Sequence, residues 1–166
     1  MIYLETLIGE ALVGEGNEVA HIDMAIGSKG GPFETAFLTA LAQPESQHTP
    51  LLAVLAPNLM AKPATLIVNK VSIKNASQAT LMFGPAQAAV ARAVTDSVAD
   101  GVIAKKDVES LLLIVSVFIH WQAADKKKIY DYNYGATKLA IKRAFDKDPG
   151  ITEIITKRDS VVHPFA

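Results

Sequence analysis

Leu111-Leu112-Leu113-Ile114-Val115-Ser116-Val117-Phe118-Ile119 is a continuous apolar run, broken only by Ser116 and ended by His120. Its length and Val/Ile content suit a strand covered on both faces, which places it in the middle of a sheet. It is the longest apolar run in the chain, and it falls well short of the roughly 18 to 20 residues needed to span a bilayer. Towards the C-terminus, Asp125 to Asp146 reads as a long helix, with Ile129, Tyr132, Tyr134, Leu139, Ile141 and Phe145 as its apolar positions. Pro149-Gly150 closes that helix, and the remainder reads as a short extension. Towards the N-terminus, Asn75 or Ser77 caps a helix running to about Asp100, where Gly101 stops it. Gly84-Pro85 lies inside it and kinks or restarts it, because proline supplies no N–H to the helical ladder.

The first half of the chain is strand-rich. Tyr3 to Val13 reads as a strand, followed by turn chemistry at Gly14-Glu15-Gly16-Asn17. In His21-Ile22-Asp23-Met24-Ala25-Ile26 the two-residue period places Ile22, Met24 and Ile26 on one face and His21 and Asp23 together on the other. Phe33 to Leu41 reads as a short amphipathic helix, and Leu51 to Leu55 as a buried strand. Ala56 to Ala64 holds Pro57 and Pro63 and reads as irregular. Thr65 to Lys74 resumes as a strand with Leu66, Val68, Lys70 and Ser72 on one face. Strands and helices alternate only loosely and several strands adjoin directly. The reading is an α+β two-layer sandwich with a mixed sheet, in one domain covering residues 1–166.

Half of the 166 residues are apolar, enough for one sizeable core. Sixteen Lys and Arg against 17 Asp and Glu provide no net field for nucleic acid or an anionic membrane surface. The chain has no cysteine, which removes disulfides, thiolate nucleophiles and thiolate metal sites. The first residues carry Glu5 and Glu10 and no basic n-region, unlike a secretory signal, so a cytoplasmic location is expected. A mean hydropathy of +0.24 in so small a domain points to apolar surface buried against further subunits.

No dinucleotide fingerprint, P-loop, nucleophile elbow or HExxH pair is present. Gly27-Ser28-Lys29-Gly30-Gly31 has the composition of a plain turn more than of a phosphate loop. The pairs that stand out are His21 with Asp23 and Lys70 with Ser72. Taken alone, a strand histidine is more often structural than catalytic, and a strand-edge lysine more often guards against unwanted pairing. His48 and His120 lack a partner at metal-ligand spacing and read as structural or interfacial. Trp121 with Tyr130, Tyr132 and Tyr134 reads as core or interface packing, and Lys126-Lys127-Lys128 as a solvated helix face.

The segments GEALVGEGNEVAHID, HTPLLAVLAPNL, KPATLIVNKVSIKN, FGPAQAAVA and FIHWQAADKKKIYDYNYGATKLAIKRA, in this order, resemble the formaldehyde-activating enzyme family from about Ile8 to Ala144. The resemblance implies a homopentamer of subunits like the second domain of ribosomal protein S5. It implies condensation of formaldehyde with tetrahydromethanopterin to the methylene derivative and water, with the pterin as co-substrate and no tightly bound cofactor or metal. By the same resemblance His21 is the proton donor, and Asp23, Leu52, Lys70, Ser72 and Gln87 contact the pterin. Ser72 stands where the family often has threonine, keeping the hydroxyl and losing a methyl. Some members are fused to a sugar-phosphate synthase; this chain ends before such a domain, which implies the stand-alone form.

The chemistry explains the need for an acid. Formaldehyde and an amine form a carbinolamine unaided, but its hydroxyl leaves only with a proton. Histidine, with an unperturbed pKa of about 6.5, can hold and give one near neutrality. Asp23 either supports the charged imidazole or hydrogen-bonds the pterin. Three rival readings remain: a pterin- or formaldehyde-binding paralogue acting as sensor, carrier or regulator; a carbonyl enzyme using Lys70 as a Schiff-base amine; and a purely structural oligomer.

Overall fold

The computed structural model describes residues 5–163. The backbone forms strands β1 (Leu7–Val13), β2 (Ala20–Ser28), β3 (Leu51–Leu52), β4 (Val54–Ala56), β5 (Leu59–Met60), β6 (Ala64–Asn69) and β7 (Leu111–Val117). The helices are α1 (Pro32–Ala42), α2 (Ala76–Leu81), α3 (Gln87–Ala99), α4 (Lys126–Asp146) and α5 (Ile151–Lys157). The main sheet has the order β1-β2-β7-β6-β3, with β7 in the middle as its apolar sequence requires. β7 runs antiparallel to β2 and parallel to β6, so the sheet is mixed.

One face of this sheet carries the main core. Ile22 and Ile26 of β2, Ile67 of β6 and Leu113, Val115 and Val117 of β7 point to it, and all are fully buried. Helices α3 and α4 cover that face. Each such side chain contributes about 1.5 to 3 kcal/mol when fully removed from water. The other face is covered only in part, by α1, whose Phe37 packs on Leu66 and Leu112. The remainder of that face, over β1 and β2, is open.

Close approach of α4 to the sheet depends on Gly9. A Cβ there would lie 2.1 Å from the carbonyl oxygen of Ala140. On the helix, the buried stripe is Ile129, Asn133, Ala136, Thr137, Ala140, Ile141 and Ala144. Tyr134, Leu139 and Phe145, assigned from sequence as apolar positions, lie beside it at intermediate exposure. Small residues line the contact because a helix that sits this near a sheet leaves no room for large ones. The helix starts at Asp125, whose carboxylate accepts the N–H groups of Lys127 and Lys128 at 3.0 Å each. It ends at Lys147 in the left-handed conformation, φ 54°, before the Pro149-Gly150 signal.

Several segments differ from their sequence reading. The first strand begins at Leu7, after Glu5 and Thr6, and Tyr3 and Leu4 lie outside the described residues. Leu51 to Leu55 divides into β3 and β4 at Ala53, whose N–H bonds Thr65 and whose carbonyl accepts from Ala61. β4 and β5 then pair as a small hairpin within the stretch read as irregular, with Asn58 at φ 68° between them. The C-terminal extension contains α5, whose Ile151, Ile154 and Ile155 are exposed, so it has no core-facing stripe in one chain. The predicted kink at Gly84-Pro85 is a π-type turn, Met82–Ala86, which joins α2 to α3 without ending the helical path. Asn75 is the cap: its Oδ1 accepts the N–H of Gln78 at 2.8 Å.

Lys126, Lys127 and Lys128 are exposed, as a solvated face requires. Trp121 is not core: it is 46 % exposed, stacked on His120 at 4.0 Å, with Lys74 Nζ 4.4 Å from its ring centre. The glycine-rich loop after β2 has the Gly30 N–H donating to the Glu34 carboxylate at 2.9 Å, so that amide already has an anionic partner within the chain.

Candidate active site

The open face of the sheet is set by the strand register. Cα partners across β1 and β2 are Leu12 with His21 and Glu10 with Asp23, and across β2 and β7 Asp23 with Ser116. Alternation therefore brings Glu10, Leu12, His21, Asp23 and Ser116 to one surface, opposite the core. His21 and Asp23 do share a face, as the two-residue period predicted.

Lys70 reaches the same place by a different route from the predicted strand. β6 stops at Asn69, whose side-chain amide donates to the carbonyls of Gln47 at 2.8 Å and Val71 at 2.6 Å. Those bonds turn the chain away, and the predicted extension to Lys74 is not formed. The Lys70 N–H still donates to Val117 at 2.9 Å, which fixes the lysine at the end of the central strand pair. Its side chain is 15 % exposed and projects across β7 towards β2.

Four side chains meet there. Lys70 Nζ lies 3.0 Å from His21 Nδ1 and is ion-paired with Asp23 Oδ2. His21 Nε2 lies 2.9 Å from Glu10 Oε1, while Asp23 Oδ1 is 3.6 Å away, beyond hydrogen-bond range. Arg143 of α4 anchors Glu10 by donating to its backbone carbonyl at 3.0 Å, with the carboxylate 3.9 Å away. Glu10 was not among the residues singled out from sequence. Its signal was the alternation Ile8-Glu10-Leu12 against buried Leu7 and Ala11, but choosing it required knowing that β1 pairs with β2 in this register.

The other sequence candidates occupy separate positions. Ser72 follows Lys70 in the bend after β6, where strand parity no longer fixes its direction. Leu52 lies on β3 and packs in the cluster under α1. Gln87, at the start of α3 and 9 % exposed, accepts the Val54 N–H at 2.6 Å. Leu52 and Gln87 thus flank the β3–β4 step, and no hydrogen bond among the described residues joins either to His21.

A sequence model described as formaldehyde-activating enzyme matches residues 8–166. The chain belongs to the formaldehyde-activating enzyme family. A relative from Methanosarcina barkeri named 5,6,7,8-tetrahydromethanopterin hydro-lyase is 61 % identical over 163 residues, covering 98 % of this chain and 92 % of the relative. Two others are named bifunctional enzyme Fae/Hps. The one from Methanocella arvoryzae is 59 % identical over 94 % of this chain, and the one from Archaeoglobus fulgidus 54 % identical over 98 %. The chain spans 39 % and 41 % of those two relatives' lengths. His21, Asp23 and Lys70, three of the residues singled out from sequence, converge on the open face of the sheet. Among the described residues no helix is long and apolar enough to cross a membrane.

Proposed function

We propose that this chain catalyses the condensation of formaldehyde with tetrahydromethanopterin, giving the methylene derivative and water, with His21 as the proton donor. The observation that carries this reading is the contact of His21 with Lys70 on an open sheet face, with the imidazole 37 % exposed and so within reach of a small ligand. The family and the hydro-lyase name of the Methanosarcina barkeri relative supply the reaction class.

A carrier nitrogen adds to formaldehyde to give a carbinolamine. As its C–O bond breaks, the leaving oxygen takes the proton on His21 Nε2 and departs as water, while the nitrogen lone pair forms the iminium. Lys70 donates to Nδ1 as Nε2 gives up its proton, so the ring remains neutral. The carrier's second nitrogen then attacks the methylene carbon, and the proton it loses restores the Lys70–His21 pair. Acid catalysis of this kind contributes typically about 10² to 10⁴ in rate. Positioning of two reactants that already combine in water adds to it.

The arrangement disfavours Lys70 as a Schiff-base nucleophile. Its nitrogen is paired with Asp23 and donates to His21, which leaves no lone pair directed at an aldehyde. Asp23 acts first on Lys70 and only at longer range on His21. Leu52, Ser72 and Gln87 serve the pterin: an apolar wall, a hydroxyl, and an amide whose oxygen accepts from Val54 and whose NH₂ can donate to the ligand. Assembly as a homopentamer is supported by exposed Ile8 and Leu12 beside the site and by the apolar side chains of α5.

The test is formation of methylene-tetrahydromethanopterin above the spontaneous rate, followed spectrophotometrically with wild type and His21→Ala. A gain that the mutant loses supports both enzyme and acid. A folded wild type giving no gain with several tetrahydropterins favours the binding paralogue instead.

A further inference from the structure

Glu10 is the one member of the four-residue cluster with no role in the reading above. We propose that Glu10 is a positioning residue that holds His21 as the tautomer with its proton on Nε2, working together with Lys70 on the opposite nitrogen; the kinetic part of this inference rests on the reaction proposed above. The assignment follows from donor and acceptor chemistry. An ammonium has only donors, so the 3.0 Å contact with Lys70 requires Nδ1 to accept. A carboxylate has only acceptors, so the 2.9 Å contact with Glu10 requires Nε2 to carry the hydrogen. The two contacts agree on one neutral tautomer. The Lys70 contact selects the accepting nitrogen, and the Glu10 contact adds a second hold on the ring at the opposite nitrogen.

The supports extend across the fold. Arg143 holds the Glu10 backbone from α4, and Gly9 lets that helix reach β1 at this point. Asp23 is ion-paired with Lys70 and so holds the ammonium that faces Nδ1. Glu10 at 54 % side-chain exposure and His21 at 37 % leave room beside their hydrogen bond for an incoming oxygen, which can share the Nε2 hydrogen along a line already fixed. Fixing that line matters because about 1 Å of misplacement can cost on the order of 100-fold in rate.

The first readout needs no activity. In ¹⁵N-labelled protein above neutral pH, long-range ¹H–¹⁵N correlation spectra of His21 should show hydrogen on Nε2 in the wild type. Glu10→Ala, in which Lys70 still requires Nδ1 to accept, should keep hydrogen on Nε2 but move the Nε2 and Hε2 resonances upfield as the charge-assisted bond is lost, whereas Glu10→Gln, whose amide oxygen can accept the same bond, should hold them near the wild-type pattern. Kinetically, Glu10→Ala should lower kcat by about 10- to 100-fold with KM within about twofold, and Glu10→Gln should recover most of the loss. Hydrogen on Nδ1 in the wild type, or an unchanged pattern in folded Glu10→Ala, overturns the proposal. An unaltered kcat in Glu10→Ala of an active protein also overturns it. A wild type that is inactive but shows the expected spectra leaves the tautomer assignment standing and defeats only the reaction it was meant to serve.

Discussion

Lys70 and His21, 49 residues apart in the chain, meet with Nζ 3.0 Å from Nδ1 because the lysine follows directly on β6, where its N–H still bonds Val117 at the end of β7. The lysine is mostly buried and stands between two groups, Asp23 and His21. Replacing it with methionine keeps the stem and removes both bonds. Lys70→Met should fold and lose at least about tenfold in kcat/KM, and Lys70→Arg should not restore it, since a planar guanidinium cannot replace a compact ammonium between these partners. Steady-state rates of the two variants beside wild type, with melting curves to confirm folding, test this. Arg activity close to wild type would contradict the point-charge role.

Two glycines make opposite predictions about the same helix. At Gly9 an added Cβ would lie 2.1 Å from a backbone oxygen of α4, which cannot turn aside. Gly9→Ala should therefore destabilise the protein by about 3 kcal/mol or prevent folding, as overpacking at a rigid contact does. Gly135 lies within α4, and its added Cβ would meet only Val13 at an ordinary 3.6 Å. Gly135→Ala should stabilise by about 0.5 to 1 kcal/mol through reduced chain entropy. Denaturant midpoints at constant m-value separate the two.

How far the sequence was legible follows from which signals are local. The continuous apolar run Leu111–Ile119 placed β7 in the middle of the sheet, because a strand buried on both faces needs no knowledge of its neighbours. The shared face of His21 and Asp23 was likewise a matter of strand period alone. Glu10 depended on the pairing of β1 with β2, and Lys70's true position on a side-chain turn at Asn69, both settled by contacts distant in sequence. Helix α5 escaped notice because its apolar residues face away from the core of the single chain. The small-residue stripe of α4 was missed for a related reason: its buried positions are alanines and polar residues, which carry little hydrophobic signal.

That stripe yields a further prediction. Thr137 is fully buried and its hydroxyl has no hydrogen-bond partner among the described residues. Valine has nearly the same shape and no polar group to desolvate. Thr137→Val should raise stability by about 1 kcal/mol, seen as a higher melting temperature. A lower one would show that the hydroxyl has a bonding partner, such as an enclosed water.

Glu18 gives a pH dependence with a definite sign. It lies in the turn between β1 and β2, and its carboxylate accepts the N–H groups of Ala124 at 3.1 Å and Asp125 at 3.3 Å, at the entrance to α4. These bonds, that from Ala124 first and that from Asp125 second, hold the carboxyl below its ordinary value of 4.5. A carboxyl with a lowered folded-state pKa stabilises the fold above its unfolded pKa, and that contribution is lost as pH falls through the folded value. Glu18→Gln should therefore be less stable than wild type near neutral pH, by no more than about 1 kcal/mol since the group lies near solvent. The gap should persist down to about pH 5 and then close below pH 4.5, because wild type alone loses the charged hydrogen bonds there. Denaturant unfolding of both proteins at a series of pH values measures the gap directly. A gap that is constant with pH would mean that the amide reproduces the bonds and that charge at this turn contributes nothing.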